Sequence, residues 1–303
     1  MVPRLLIVTQ AVDSRHTNLG FFVRWIAEFA KHVDVVVIAN EVGEYQLPSN
    51  VEVHSLGKEK GVGRLGRYIN FYTLIFRLRY TAVLCHMNPE FVIAGGWWWR
   101  LSGRPIVLWY MHKSVTARLR LAERLVRAVA TASAESFRLP SSKVHILGHG
   151  IDTDIFTPDP SVSRGTHALS VGRLMPSKRH DKAIDMAQAD GRPLYIAGEG
   201  PERAALEAYA KTKGAAVTFL GGVMHGALLN EYRQAAYLIH TSETGSLDKV
   251  VLEAMACDTP VVSTSEAFRS VPLTAGGAYV QEHHSLQQLI PRILTLYNTA
   301  GKR

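Results

Sequence analysis

"HALSVGRLMPSKRHDKAIDMAQADGRPLYIAGEGPER", residues 167–203, sets two short β-rich runs, 167–173 and 193–198, on either side of a helical stretch. Strands this apolar, separated by helices, predict a parallel sheet covered on both faces. The alternation continues downstream, with strands predicted at 217–222, 237–242 and 260–264. Upstream, strand-like runs fall at 5–9, 33–39, 51–56, 82–86, 106–112 and 144–147. Between the first two of these, Leu19, Phe22, Val23, Ile26 and Ala30 keep helical spacing, with Arg24, Glu28 and Lys31 opposite. "FTPDPSVSRGT", residues 156–166, breaks the pattern with two prolines, serine and glycine, and reads as a linker.

The expectation is an α/β protein with two doubly wound, Rossmann-like parallel-sheet domains, 1–155 and 167–284, joined by the linker 156–166. A terminal helix within 285–303 is expected to cross back to the first domain. Ligands of such sheets bind at the carboxyl ends of the strands, and a hinge between two of them makes a cleft.

The chain has 303 residues, 47% hydrophobic and 20% charged, which suits two domains of roughly 150 residues each. Cys85 and Cys257 make no disulfide framework, so a reducing cytoplasm is expected. The opening "MVPRLLIVTQ" runs straight into a strand pattern and does not read as a signal peptide. The most membrane-like stretch, "AVLCHMNPEFVIAGGWWW", is broken by His86, Asn88, Pro89 and Glu90, whereas a span needs about 18 unbroken apolar residues. The net charge of +8 is uneven: residues 1–150 hold 19 lysines and arginines against 10 acids, and residues 151–303 hold 15 against 16.

Three pieces of the second half carry chemistry. In "SVGRLMPSKRHDKAI" a strand ends at Gly172-Arg173 and Lys178 follows, so two cations stand on a strand-to-helix loop, a pattern that suits an anion. In "YIAGEGPER" a strand runs into a glycine-rich turn with Pro201 at a helix start, where a ligand can approach the backbone. In "SLDKVVLEAMACDTPVV", residues 246–262, Glu253 interrupts an apolar helical run. Burying an unpaired carboxylate costs several kcal/mol. Gly245 and Ser246 precede that helix and leave backbone N–H groups free at its start, which suits a phosphorylated sugar. Each piece alone is better explained by a solvated loop, a conformational glycine or a satisfied helix carboxylate.

Together, "GRLMPSK", "YIAGEGPE", "VTFLGGV", "YRQAA" at Tyr232–Ala236 and "LEAMACDTPVV" resemble, in order and spacing, the nucleotide-binding domain of family-4 retaining glycosyltransferases of the GT-B fold. "LLIVTQ", "LWYMHKS" and "VHILGHGIDTDIFTP" are similar to that family's first half, so the resemblance covers nearly the whole chain. It implies transfer of a sugar from a nucleoside diphosphate-sugar to an acceptor hydroxyl. Arg173 and Lys178 would hold the diphosphate, Glu253 the ribose hydroxyls, and His112 would face the donor sugar. Val223 would meet the nucleobase, Gly20 would admit the donor to the backbone, and Gly172, Gly245, Ser246 and Asp248 complete the donor-binding set. No metal or other cofactor is implied, since no His/Asp cluster has ligand spacing and two cations can neutralise the leaving charge.

The sequence departs from the family at Gly245, where the first of two glutamates eight positions apart normally stands; Glu243 and Asp248 lie nearby, out of register. The C-terminal region is also short for the family. These departures point to an atypical subfamily. They leave open a catalytically inactive nucleotide-sugar-binding protein and, as a second alternative, a GT-B epimerase.

In the basic first half, "RLGRYINFYTLIFRLRY" (64–80) puts Leu65, Tyr68, Ile69, Tyr72, Ile75 and Phe76 on one helical face, extended by Phe71, Leu74 and Leu78 and interleaved with arginines. "GGWWWRLSGR" adds tryptophans, and Arg120, Arg124 and Arg127 share a face of a helix expected over 114–130. Basic residues with interfacial aromatics favour anionic lipid headgroups. The expected partners are therefore a nucleotide-sugar, a glycan or lipid-linked acceptor, and an anionic membrane surface at the inner face of the cytoplasmic membrane. A core with a solvated arginine rim explains the same residues almost as well. Nucleic acid is not expected, because no helix-turn-helix, RRM-like or zinc-finger pattern appears.

Overall fold

The computed structural model describes residues 2–16, 18–224 and 226–298. The chain divides into two compact units, one of residues up to Gly150 together with the chain from Leu286 onward, the other Ile151–Ser285. The first unit runs β1 (Arg4–Val12), α1 (Phe22–Ala30), β2 (Asp34–Val42), β3 (Val51–Ser55), α2 (Arg64–Arg77), β4 (Ala82–His86), α3 (Pro89–Leu101), β5 (Ile106–Trp109), α4 (Ala117–Leu125), β6 (Ala128–Thr131) and β7 (Val144–Ile146). The second runs β8 (Ala168–Val171), α5 (His180–Ala189), β9 (Leu194–Ala197), α6 (Arg203–Lys213), β10 (Val217–Gly221), α7 (Leu228–Gln234), β11 (Tyr237–His240), α8 (Lys249–Ala256), β12 (Val261–Ser263) and α9 (Gly276–His283). The chain ends its described part with α10 (Leu286–Thr295), in the first unit.

Both sheets are parallel. The order is β3-β2-β1-β4-β5-β6-β7 in the first and β10-β9-β8-β11-β12 in the second. The Leu5–Val8 stretch of β1 shows why: successive side chains point to opposite faces, and neither face of it meets water. Leu5 and Ile7 enter one core with α1 and α10, and Leu6 and Val8 the other with α2, α3 and α4. A parallel sheet needs such cover on both sides.

The first core includes the tail of the chain. Leu286, Leu289, Ile290 and Ile293 keep helical spacing along α10 and pack with Phe22, Trp25, Ile26 and Phe29 of α1. Beyond the helix, the Tyr297 hydroxyl donates to the carbonyl of Val83 at 3.0 Å. At the other boundary Gly150, at φ +69°, lies where a β-carbon would come within 2.5 Å of the Trp25 ring and 2.6 Å of Leu289. Ile151 and Ser285, first and last in the second unit, form a parallel bridge, with the Ile151 N–H donating to the carbonyl of His284 at 2.7 Å.

The apolar face read on α2 is divided, and one sequence expectation, the length of α4, is corrected. Helix α2 buries the line Phe71–Ile75, at 1% and 0% exposure, while Leu65, Ile69 and Phe76 stand at 75%, 59% and 49%. The apolar band on α2 is wider than the strip one sheet face covers, so its outer part remains in water. Helix α4 is shorter than 114–130. Thr116 caps it by accepting the Leu119 N–H at 3.1 Å, and Val126 is already extended to enter β6. Arg127 therefore leaves the arginine face and donates from Nε to the carbonyl of Leu296 at 3.1 Å.

Ile290→Ala is expected to destabilise the first unit by about 2–5 kcal/mol, the range for emptying a wholly buried aliphatic position. A urea unfolding midpoint that stays put would show that α10 is not part of that core.

Candidate functional site

The loops that follow β8, β9, β10 and β11 gather at the carboxyl edge of the second sheet, and glycine is what lets them close up. A β-carbon on Gly198 would stand 1.9 Å from the carbonyl oxygen of Gly172, and one on Gly200 would stand 2.3 Å from that of Leu174. The backbone ties the loops together: Gly172 N–H donates to Ala197, Leu174 N–H to Glu199, and Gly198 N–H to Gly221, at 3.0, 2.9 and 2.7 Å. These glycines therefore answer to the neighbouring turn. Val223 lies half-buried just beyond β10, packed on the core of the second unit.

Of the two expected cations, Arg173 is exposed, and among the described residues no ion pair to it is found. Lys178 ends a 3₁₀ turn, Pro176–Lys178, and its ammonium is 2.6 Å from the Asp248 carboxylate. The same oxygen of Asp248 lies 3.0 Å from Nε2 of His240 at the end of β11. A carboxylate only accepts, so Nε2 carries a hydrogen, and Nδ1 lies 3.0 Å from the Ser263 hydroxyl. Burial alone would raise the Asp248 pKa, but the hydrogen bond to His240 and the Lys178 charge outweigh it and hold the carboxyl far below the usual range. Lys178, Asp248 and His240 thus form one charged cluster between the ends of β8 and β11.

The other carboxylate near the gap in the family pattern is differently placed. Glu243 is exposed and held by Arg179 at 2.8 Å and Lys182 at 2.7 Å. Helix α8 begins at Lys249, later than the sequence suggested, with Asp248 at its N-cap. Gly245 and Ser246 lie in the loop ahead of it, and Gly245 has φ +66°. A glutamate there would sit in the left-handed region that side chains with a β-carbon disfavour.

Glu253 is buried, at 3% exposure, and accepts the Tyr232 hydroxyl at 3.0 Å. Tyr232 is itself wholly buried, and burial together with the neighbouring carboxylate pushes its phenol pKa well up. One turn before Glu253, half-buried Lys249 has its ammonium pushed down to about 7, burial outweighing the attraction of Glu253. The misfit carboxylate of the sequence is thus a buried group with a specific donor.

His112 and Gly20 belong to the first unit. β5 ends at Trp109, so His112 lies in the following loop, exposed, with Nδ1 accepting the Ser114 N–H at 3.1 Å. A β-carbon on Gly20 would meet the carbonyls of Ser14 and His16 at 2.7 and 3.0 Å, so its own loop requires glycine. His240 and His180 escaped the sequence reading: His240 is a single histidine at a strand end, and His180, although it follows the loop of Arg173 and Lys178, is a single histidine whose burial the sequence does not show. Among the described residues no group of three or more His, Cys, Asp or Glu side chains is gathered to hold a metal ion. No helix among them is long and apolar enough to cross a membrane.

Two doubly wound parallel-sheet units in one chain are the plan of the GT-B glycosyltransferases. Two solved structures share it over most of the chain. Anabaena Alr3699/HepE in complex with UDP and glucose aligns with a TM-score of 0.72 at 16% identity, covering 98% of this chain and 100% of that one. Sucrose-phosphate synthase from Thermosynechococcus elongatus aligns with a TM-score of 0.71 at 14% identity, covering 97% and 98%. At these identities the likeness is one of fold.

Residues 154–300, which hold nearly all of the second unit, match the family model described as Glycosyl transferases group 1. Among curated relatives, a GDP-mannose-dependent alpha-mannosyltransferase of Mycobacterium tuberculosis is 28% identical over 173 residues, 54% of this chain and 43% of that protein. A D-inositol 3-phosphate glycosyltransferase of Mycobacteroides abscessus is 33% identical over 142 residues, 41% of this chain and 32% of that protein. The match thus spans less than half the length of these relatives.

His180 offers a check on the second unit's packing. It is buried beside the Gly172 turn with Nδ1 3.0 Å from the Ser170 hydroxyl, and burial holds its pKa down at about 4. Unfolded histidine takes a proton near 6.5, so acid favours the unfolded chain, and this share of stability is lost as pH falls from 6.5 towards 4. Between about pH 7.5 and pH 5 the loss is roughly 2 kcal/mol from this group. His180→Gln, which cannot protonate, is expected to flatten the fall in melting temperature over that range. An unchanged pH profile would contradict the assignment.

Proposed function

We propose that the protein is a retaining glycosyltransferase that moves a sugar from a nucleoside diphosphate-sugar to an acceptor hydroxyl. The observation that carries this reading is the Lys178 ammonium held against an anionic group at the carboxyl edge of the second sheet. In the free protein that group is the Asp248 carboxylate; with donor bound, diphosphate oxygens would share the ammonium with it. Arg173, exposed on the same loop, supplies the second cation. Glu253 would take the ribose hydroxyls, oriented by the Tyr232 hydroxyl on one of its oxygens. His112 would position the donor sugar, and the leaving phosphate would receive the acceptor proton on the face it leaves. Two cations then stabilise the charge that develops as the bond breaks, and the reading calls for no metal.

The names of the similar proteins bring two donor classes to this chain, GDP-mannose from the mannosyltransferase and UDP from the Anabaena protein. A second reading, a nucleotide-sugar-binding protein without transfer activity, is favoured by the left-handed Gly245 at the position of the missing glutamate. The acceptor is read as a glycan or a lipid-linked sugar presented at an anionic membrane. Exposed Leu65, Ile69, Phe76, Trp97 and Leu121 lie on helices that also carry Arg64, Arg100 and Arg124. Apolar side chains framed by cations match the interface of an anionic bilayer.

Three measurements test these assignments. One of UDP, GDP, ADP, dTDP or CMP is expected to raise the melting temperature of the wild type by mass action, and not that of Glu253→Ala; a panel with no effect would overturn the donor site. With the donor known, Lys178→Ala is expected to lower turnover by roughly 10²–10³, the effect of losing one preorganised charge-stabilising donor. Near-normal turnover would break the mechanism, and donor binding with neither transfer nor hydrolysis would select the inactive binder. Sedimentation with phosphatidylglycerol vesicles at low salt should pellet the protein, and failure to pellet removes the membrane.

A further inference from the structure

A cavity of about 290 Å³ opens in the first unit, lined by Gln10 of β1, Asn40 of β2, Asn88 ahead of α3, and Arg64, Arg67 and Tyr68 of α2. It lies at the carboxyl ends of the strands, where ligands of doubly wound sheets bind. Its volume is near the lower end of ligand pockets, roughly 300–1,000 Å³, which suits one small molecule or a headgroup. Phe71 and Phe91, with ring centroids 5.4 Å apart, form an apolar wall.

The polar lining is ordered by a directional chain. Arg67 Nη1 donates to Asn40 Oδ1 at 2.8 Å, Asn40 Nδ2 to Gln10 Oε1 at 2.9 Å, and Gln10 Nε2 to Asn88 Oδ1 at 2.7 Å. Asn88 Nδ2 closes it on the carbonyl of His86 at 3.0 Å. Each amide in the chain thus accepts one hydrogen bond at its oxygen and donates one from its nitrogen, keeping one lone pair and one hydrogen to offer a hydroxyl, which both donates and accepts. The guanidinium of Arg67 has donors to spare, including a buried Nε with no partner among the described residues. The surplus of donors in the lining comes from the guanidinium groups, which have no acceptor.

The charge agrees. The one carboxylate of the lining, Glu90, is neutralised by Arg118 at 3.0 Å. Arg64 and Arg67 have no carboxylate at ion-pair distance among the described residues. A cavity that offers N–H donors and two uncompensated guanidinium groups selects an acceptor-rich anion, and guanidinium matches the oxygens of a phosphate.

We propose that this cavity binds the phosphate-bearing polyol end of the acceptor, with Arg64 and Arg67 on the phosphate and the Gln10–Asn40–Asn88 amides on hydroxyls. The word acceptor rests on the transferase reading; the binding site does not. The phosphate is that of a free sugar or cyclitol phosphate, or of a phospholipid headgroup.

The test is calorimetric titration of the full chain with D-inositol 3-phosphate and with inositol, alongside pelleting on phosphatidylinositol vesicles and titration with the stabilising nucleotide. Binding of the phosphate at least tenfold tighter than inositol is expected, weakened about tenfold by Arg64→Gln and by Arg67→Gln with nucleotide affinity unchanged. Arg64 stands outside the amide chain, so its variant decides the matter even if Arg67→Gln disturbs the lining. Pelleting that depends on the arginines with phosphatidylinositol vesicles and not with phosphatidylglycerol vesicles, without binding of the free phosphate, supports the site and assigns it to a lipid headgroup; equal dependence on both vesicles overturns it. Equal affinity for inositol, indifference of both variants in both arms, or displacement of the phosphate by nucleotide overturns the proposal. If no nucleotide binds while phosphate binding still depends on the arginines, the transferase reading fails and the site stands.

Discussion

Two glycine turns at the ends of β8 and β9 lie so close that a β-carbon on Gly198 would meet the Gly172 carbonyl at 1.9 Å, and the second unit's site is built on that approach. The loop carrying Arg173 and Lys178 is seated on the neighbouring turn by backbone hydrogen bonds, so the cations project from a fixed frame. From there Lys178 can reach Asp248 across the sheet edge. His240 holds the same carboxylate oxygen from below, at the end of β11. A small residue at one backbone position thus determines which charges can meet several loops away.

The fold was largely legible because parallel strands buried on both faces leave a strong trace. Nearly unbroken aliphatic runs at β1, β2 and β11 admit few other readings. Faces and ends were less legible. Nothing in the pattern of α2 says that Phe71 and Ile75, and not Leu65 and Ile69, face the sheet, since all four are apolar and only the position of the strands decides. The end of α4 likewise depends on where β6 must begin.

At the site, Glu253 stood out because a carboxylate in an apolar helical run demands a partner, and Tyr232 is one. The choice between Glu243 and Asp248 was invisible in the sequence. It depends on which cations the fold brings near, Arg179 and Lys182 to the first and Lys178 to the second. His240 carried no signal, because its role exists only once β8 and β11 are neighbours. The glycines were ambiguous for the opposite reason. Close approach by a ligand and close approach by another loop ask for the same residue, and here the neighbouring loop is seen.

Helix α10 comes last in the described chain, yet it belongs to the first unit, filling its core against α1. As the polypeptide leaves the ribosome, the second unit is therefore complete while the first still lacks Leu286, Leu289, Ile290 and Ile293. Phe22, Trp25, Ile26 and Phe29 must wait, uncovered, through the synthesis of the whole intervening unit. The half that is made first is thus the half whose core is completed last.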